Sequence, residues 1–254
     1  MNISLGQVWM INPILMKLYQ FKDEFDVKTN FKLGRNINVI NPEYNLIEQT
    51  RISLIKKLGI INTNEAGEQS IEVPAEKNQQ FKDEFNEFLK QEIELNLLPL
   101  EISILKNIKD LTLTLIEVFN FRLLLSDYDL IQLVSTSTTY GQLIESRPVI
   151  NKLLNVNIEI DTSSKLSKTL IILNKIFDEI EEHRRQLAQN YNVVNWQQDN
   201  APERIMNFNK DLNFYMTEQR TIEIPIIDIE KLAFLKLDPI ELDSLSYMFD
   251  ISTI

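Results

Sequence analysis

Apolar residues recur every three or four positions through a long segment in the second half of the chain. The residues of this stripe are Leu166, Leu170, Leu173, Phe177, Ile180, Leu187 and Tyr191. Such a period is typical of one face of an amphipathic helix. Asp161, Thr162 and Ser163 come just before the stripe and are candidate N-caps. We therefore expect a helix over about 162–191, with its apolar face buried against a second helix.

A related segment lies about 133 positions earlier, where residues 31–58 align with residues 164–191. The alignment pairs Leu33 with Leu166 and Ile47 with Ile180. Shorter matches follow in the same order upstream and downstream, for example PILMKL from Pro13 with PVINKL from Pro148. We interpret the chain as two similar tandem units, residues 1–108 and residues 109–254.

Each unit continues from its long helix into a second helix and a β segment. One apolar stripe contains Phe81, Phe85, Phe88 and Leu89, and its counterpart contains Phe208, Leu212, Tyr215 and Met216. Alternating apolar residues follow each stripe, at Ile93, Leu95 and Leu97 and at Ile222, Ile224 and Ile226, and residues 111–115 alternate in the same way. Alternation predicts strands with one buried face. The sequence thus predicts an α+β fold, in which a small antiparallel sheet closes each helical unit.

The first long helix contains a proline, and a glycine follows it. Pro42 cannot donate a backbone hydrogen bond, so we expect a kink or a break around Asn41. Gly59 is expected to end the helix. The polar residues 62–70 then read as a loop before the short apolar segment 71–73.

The composition excludes several classes of function. The 254 residues are 44% hydrophobic and 25% charged, as in an ordinary folded protein. With 26 Lys and Arg against 37 Asp and Glu, the net charge of -11 disfavours nonspecific binding of nucleic acid. The absence of cysteine excludes disulfides, thiol nucleophiles and Cys-based metal sites. No apolar run approaches the roughly 18 residues that a membrane helix needs, so we expect no membrane partner.

No catalytic constellation emerges from the titratable residues. His183 stands among charged neighbours without a nucleophile motif, which predicts a histidine at the edge of a buried helix face. Acidic pairs such as Asp23 with Glu24 lack the loop of a calcium site and read as solvated surface. The sequence also contains no glycine-rich phosphate loop. We expect a protein that is not an enzyme, with no cofactor and no metal.

One charged pair occurs at equivalent places in both units. Glu48 and Arg51, and likewise Glu181 and Arg184, stand three residues apart on a helix and can pair along its surface. One interpretation is an ion pair that stabilises each helix by a few tenths of a kcal/mol. The other is a recognition site that both units use in an assembly, which makes these four residues the candidate interaction residues.

The order of motifs resembles a family of small proteins common in tailed-bacteriophage genomes. The matching elements are residues 27–33, the VPAE turn at 73–76, the FxxEFxxxL helix at 81–89, the IEIPI strand at 222–226 and the LDPIEL tail at 237–242. In two copies, in a chain rich in isoleucine and asparagine, they resemble the ring proteins of crAss-like phages. That resemblance implies a virion structural protein, assembled in the host cytoplasm into a homo-oligomeric ring between portal and tail. Its implied partners are other connector and tail proteins, with DNA at most passing through a lumen.

A second interpretation comes from a different functional class. A soluble phage-encoded regulator or inhibitor could bind a host protein, because a strongly acidic surface imitates nucleic acid. The composition of purified particles separates the two interpretations, since a ring subunit is present in many copies and a regulator is absent.

Overall fold

The computed structural model describes residues 1–63, 69–193 and 202–249. The chain divides into two compact units, one of Met1–Leu111 with Asn120–Asp127 and one of Thr112–Phe119 with Tyr128–Ile254. The boundary between 108 and 109 that the repeat predicts differs from this division, in which two short segments alternate between the units. Helices and short antiparallel strands occur in both units, so the predicted α+β class is confirmed.

The described residues of the first part of the chain form two strand pairs and three α-helices of two turns or more. In chain order the elements are β1 (Asn2–Ser4), α1 (Leu5–Tyr19), α2 (Val27–Leu58), β2 (Ile60–Thr63), β3 (Gln69–Glu72), α3 (Asn78–Leu89), β4 (Glu92–Glu94) and the short α4 (Ile102–Leu105). β1 pairs with β4 and β2 pairs with β3, both antiparallel. The β2–β3 hairpin stands where the sequence predicts a loop. Its strand residues Ile60, Ile61 and Ile71 are all exposed, so backbone pairing rather than a buried face defines these strands.

The core of the first unit lies largely between α1 and α2. The residues buried there are Val8, Ile11, Leu15 and Leu18 of α1 and Leu33, Ile40 and Ile47 of α2. The three α2 residues are spaced by seven, which returns them to one side of the helix after two turns. Full burial of each such side chain contributes about 1.5–3 kcal/mol. This packing fixes which face of α2 turns inward.

Helix α2 runs without interruption from Val27 to Leu58, so of the kink or break predicted around Asn41 the break is wrong. Pro42 lies inside the helix and cannot donate to the carbonyl four residues earlier, at a cost of about 3 kcal/mol. Ile40 and Ile47 on either side are fully buried, and their packing offsets that cost. The helix ends at Gly59 as predicted. A Cβ at that position would lie 2.5 Å from the carbonyl oxygen of Ile55, so the close approach requires glycine.

From Thr112 onward the chain contains four strands and five helices among the described residues. The elements are β5 (Thr112–Thr114), α5 (Leu115–Phe121), β6 (Val134–Thr139), α6 (Tyr140–Leu153), β7 (Asn157–Glu159), α7 (Ile160–Asn190), α8 (Pro202–Thr217), β8 (Gln219–Ile224) and α9 (Pro239–Ser244). β5 pairs with β7 and β6 pairs with β8, both antiparallel. The predicted long helix, second helix and two strands of this region are confirmed as α7, α8, β5 and β8, although β8 ends at Ile224 and the half-buried Ile226 lies outside it.

The apolar stripe of α7 is buried over most of its length. Leu166, Leu173, Phe177 and Ile180 are at most 2% exposed, whereas Leu187 is half-buried, so its predicted burial is wrong. The stripe shares its core with side chains of α6, β8 and the segment after α9. The second helix, α8, contributes Tyr215 and Met216 to this core, so the expected packing against it is one part of a larger cover. Leu187 lies in the last two turns of α7, beyond the part of the stripe in the core cluster.

Helices α1 and α6 begin with the same arrangement of side chains. Ser4 Oγ accepts from the Gln7 N–H at 3.2 Å, and the Gln7 side chain accepts from the Ser4 N–H at 2.9 Å. Thr139 and Gln142 form the same reciprocal pair, at 3.1 and 3.2 Å. Each capping box satisfies backbone donors that a helix N-terminus otherwise leaves unpaired.

The strand before each of these helices also pairs in the same way. β1 pairs with the strand that follows α3, and β6 pairs with the strand that follows α8. The second residue of α1 and of α6 is a glycine. This glycine lies against the end of the helix that precedes the partner strand, namely α3 for α1 and α8 for α6. A Cβ on Gly6 would lie 3.4 Å from the Leu89 carbonyl oxygen, and one on Gly141 would lie 3.1 Å from that of Met216. In both units, therefore, the junction from a strand into a helix lies beside the junction from another helix into the partner strand, and a glycine stands at the contact.

Candidate interaction site

Glu48 and Arg51 form a close ion pair on the C-terminal half of α2. Arg51 Nε and Nη2 lie 2.9 and 2.8 Å from Glu48 Oε2. The indole N–H of Trp9 on α1 donates to the other carboxylate oxygen at 3.0 Å, and the Trp9 ring meets Phe85 of α3 edge-on at 5.3 Å. The hydrogen bonds from Arg51 and Trp9 hold the pKa of Glu48 below its ordinary value. The carboxylate therefore links α1 to α2, with both oxygens occupied.

Glu181 and Arg184 pair on α7, but in a different environment. The single contact between them is 3.4 Å, and their side chains are 40% and 46% exposed. Trp9 stands five positions after the capping residue of α1, and the residue five positions after the capping residue of α6 is Ile144. Ile144 has no side-chain N–H that could donate to Glu181. The two charged pairs therefore share a spacing without sharing a geometry. A role for these four residues in an assembly stays a prediction.

A row of stacked rings leads from α7 to β8 in the second unit. His183 stacks on Tyr215 with ring centroids 3.9 Å apart, and Tyr215 stacks on Tyr140 at 4.4 Å. Arg220 on β8 donates to the Tyr140 hydroxyl at 3.0 Å and to the Glu179 carboxylate at 2.5 Å. His183 is half-buried, as expected for the edge of a helix face. The sequence did not reveal the stack, because its members come from four separate elements.

Two members of this group, Tyr215 and Arg220, have raised pKa values. Burial and the neighbouring Tyr140 raise the pKa of Tyr215 to about 12. The hydrogen bond to Glu179 raises the pKa of the Arg220 guanidinium. Tyr215 therefore remains a neutral phenol and Arg220 a cation throughout the physiological range. This arrangement supports packing and hydrogen bonding between α6, α7, α8 and β8.

Apolar and basic side chains share an exposed face on the N-terminal half of α2. Val27 is 87% exposed and Phe31 is 64% exposed. Gly34 and Arg35 continue the same side of the helix, and a Cβ on Gly34 would meet no atom within 4 Å. A shallow groove along this side is lined by Asn30, Phe31, Gly34, Arg35, Asn38 and Val39. We refer to Val27, Phe31, Gly34 and Arg35 as the α2 face.

The segment that carries the α2 face is basic, although the chain as a whole is acidic. Residues 27–42 contain Lys28, Lys32 and Arg35 and no acidic residue, whereas the whole chain carries a net charge of -11. Lys32 lies 3.7 Å from Glu101, while Arg35 is exposed. A run of residues that combines bases, Val27 and Phe31 without any acid is a sequence signal that could have identified this surface.

An acidic surface with an exposed apolar centre lies around α9. Ile240 is 81% exposed, and Asp238 and Asp243 beside it are also exposed. Asp238 caps the helix by accepting from the backbone N–H groups of Ile240 and Glu241, both at 2.8 Å. Residues 238–243 contain three acids and no base. We refer to Asp238, Ile240 and Asp243 as the α9 surface.

Searches for a metal centre and for a membrane span give no candidate in the described parts of the chain. Residues 1–63, 69–193 and 202–249 contain no group of three or more His, Asp or Glu side chains placed to hold a metal ion. Within the same ranges no helix is both long enough and apolar enough to cross a bilayer. Comparison with protein-family models, with curated proteins and with solved structures finds no match for this chain.

Proposed function

We propose that this chain is a non-enzymatic structural subunit of a tailed-phage virion, forming an oligomeric ring in the connector between portal and tail. The observation that carries the proposal is the α2 face, where Val27 and Phe31 stand in solvent beside Arg35. A grouped, exposed apolar surface with a polar rim marks a site of protein interaction. The resemblance of the ordered sequence motifs to phage ring proteins supplies the kind of assembly.

We further propose that the two units are copies of one ancestral unit. The capping boxes of α1 and α6, the strand pairing beside them and the two tightly approached glycines support this. The alignment of α2 with α7 at a constant offset supports it independently. A chain with two related units offers its neighbours two related but non-identical surfaces, as a head-to-tail ring requires.

The charge of the chain fits a ring through which DNA passes without binding. Repetition of the -11 charge around a ring gives it a strongly negative field. Carboxylates release no counterions from phosphates, so DNA gains nothing by adhering to such a wall. The basic residues of the α2 face then belong at contacts with protein neighbours, namely other copies and adjacent connector or tail proteins. The virion, after assembly in the host cytoplasm, is the expected location.

The same surplus of acid favours one alternative, a soluble regulator that binds a host protein. In that case the acidic surface would occupy a site that normally receives nucleic acid. The basic α2 face would have no part in such binding.

Quantitative mass spectrometry of purified phage particles tests the proposal. A ring subunit should appear in a fixed, multiple-copy ratio to the portal protein, and the ratio should survive repeated density-gradient purification. A phage enzyme expressed at the same stage of infection is the control and should disappear on purification. Loss of this chain together with that control would refute the structural role and favour the regulator.

A further inference from the structure

The long helices of the two units differ in what covers their N-terminal halves. The offset that aligns α2 with α7 pairs Phe31 with Ser164 and Gly34 with Ser167. Ser164 and Ser167 are fully buried, whereas Phe31 is 64% exposed. The same side of the helix is thus enclosed in one unit and open in the other.

The cover on α7 is a chain segment held by specific hydrogen bonds. The Tyr128 hydroxyl donates to Ser167 Oγ at 3.0 Å. Lys168 Nζ donates to the backbone carbonyl oxygens of Asp129 at 2.9 Å and of Ile131 at 3.2 Å. Arg35 occupies the position on α2 that Lys168 has on α7. The long helix of this fold therefore presents a side that receives another segment and a cation that anchors it.

The chemistry of the α2 face defines what can cover it. The covering surface needs an apolar side chain to bury Phe31 and to enter the open space at Gly34, because nothing lies within 4 Å of a Cβ there. It also needs acceptors for Arg35, since a cation removed from water must be paired. An apolar centre with acidic neighbours meets both requirements.

The chain carries such a surface itself, on the second unit. Ile240 is an 81% exposed aliphatic residue, and the charged residues of 238–243 are all acidic. Leu130 is equally exposed at 80%, but Lys168 places a cation beside it, on the carbonyls of Asp129 and Ile131. Residues 238–243 contain three acids, of which Glu241 is paired with Lys152, whereas one exposed acid, Asp129, adjoins Leu130. Charge complementarity to Arg35 therefore favours the α9 surface over the surface around Leu130.

We propose that the α2 face of one copy binds the α9 surface of a second copy, with Ile240 against Phe31 and Gly34 and with the acids of the α9 surface facing Arg35. This inference rests on the proposed function, because it identifies the contact that would build the ring. The two surfaces differ, so the contact is heterologous, and a heterologous contact builds a ring when its rotation closes.

Mixing two variants tests this contact. Phe31→Glu leaves the α9 surface intact, and Ile240→Glu leaves the α2 face intact. Each variant alone should associate at least about tenfold more weakly than the wild type in sedimentation-velocity ultracentrifugation. An equimolar mixture should regain a one-to-one dimer, because it still contains one good copy of each surface. An isologous contact would not be restored by mixing.

Two matched substitutions act as controls. Phe214→Glu and Leu130→Glu change residues that are 70% and 80% exposed and lie outside both surfaces, so these variants should associate like the wild type. Circular dichroism melts should show that all four variants keep the folded state, since every changed residue is exposed. A wild-type chain that stays monomeric up to about 100 μM refutes the contact. Failure of the mixture to form a dimer refutes it as well, and so does equal loss of association in the controls.

The outcome is separable from that of the proposed function. If the chain is present in particles but the mixture forms no dimer, the contact is wrong and the structural role stands. If the contact is found but the chain is absent from particles, the self-association stands and the virion role is wrong.

Discussion

Truncation of Phe177 to alanine tests whether the stripe of α7 is the core of the second unit. Phe177 is 2% exposed and belongs to the apolar cluster formed with α6, β8 and the segment after α9. The Arg147 guanidinium lies over its ring, 5.1 Å from the centroid. The substitution therefore removes apolar burial and a cation–π contact together.

The expected loss of stability follows from these two contributions. Burial of a phenylalanine side chain contributes about 1.5–3 kcal/mol, and the cavity left by its removal adds about 24 cal/mol per Å³. Together these predict a loss of about 3–5 kcal/mol in the free energy of unfolding. Arg147 is exposed, so its contact with the ring should account for only about 0.5–1 kcal/mol of the loss.

Urea unfolding followed by far-UV circular dichroism measures the loss, and a double-mutant cycle with Arg147→Ala separates the two contributions. Leu187→Ala is the matched control, because Leu187 continues the same stripe but is half-buried, and it should cost markedly less than Phe177→Ala. A loss below about 1 kcal/mol for Phe177→Ala would refute the core assignment. Equal losses for Phe177 and Leu187 would refute the graded burial along α7.

Two further predictions concern Glu48 and a pair of glycines. The pKa of Glu48 is lowered in the fold from an ordinary value of 4.5, so its contribution to stability is present above pH 4.5 and is lost as the pH falls through the lowered pKa. Urea melts should show that Glu48→Gln destabilises the protein more at pH 7 than at pH 3, and equal losses at both pH values would contradict this. Gly59→Ala should destabilise by about 1 kcal/mol or more, because its Cβ would lie 2.5 Å from a carbonyl oxygen. Gly34→Ala should stabilise by about 0.5–1 kcal/mol, because it fills open space inside a helix, and the opposite order in thermal melts would refute the assignment of the two sites.

The sequence predicts the long helix α7 to within two residues at its start and one at its end, because a stripe of that length has one geometric solution. The strand β8 follows as directly, since Ile222 and Ile224 alternate with polar residues and both are buried. The β2–β3 hairpin could not be predicted in this way, because its isoleucines do not face a core. The helix break predicted at Pro42 does not occur, because the burial of neighbouring residues in α2 outweighs the low helix propensity of proline.

The surfaces were harder to predict than the fold. The stack of His183 on Tyr215 depends on side chains from different elements, and no spacing along the chain connects them. The α2 face, in contrast, comes from a single segment of the sequence, in which Val27 and Phe31 lie four residues apart and basic residues lie next to them. The distribution of charge is what distinguishes an exposed side of a helix from a buried one here.

The two charged pairs show why a repeated spacing does not imply a repeated site. Glu48 accepts from Trp9 as well as from Arg51, whereas Glu181 and Arg184 meet at 3.4 Å with side chains that are 40% and 46% exposed. The contrast between the exposed Phe31 on α2 and the buried Ser164 on α7 follows the same rule, since positions that align in the sequence have different surroundings in the structure. For an assembly this divergence has a direct consequence. In the proposed contact the surface around Phe31 is basic and the surface around Ile240 is acidic, so like surfaces repel each other and the charges favour the head-to-tail order over a symmetric pairing.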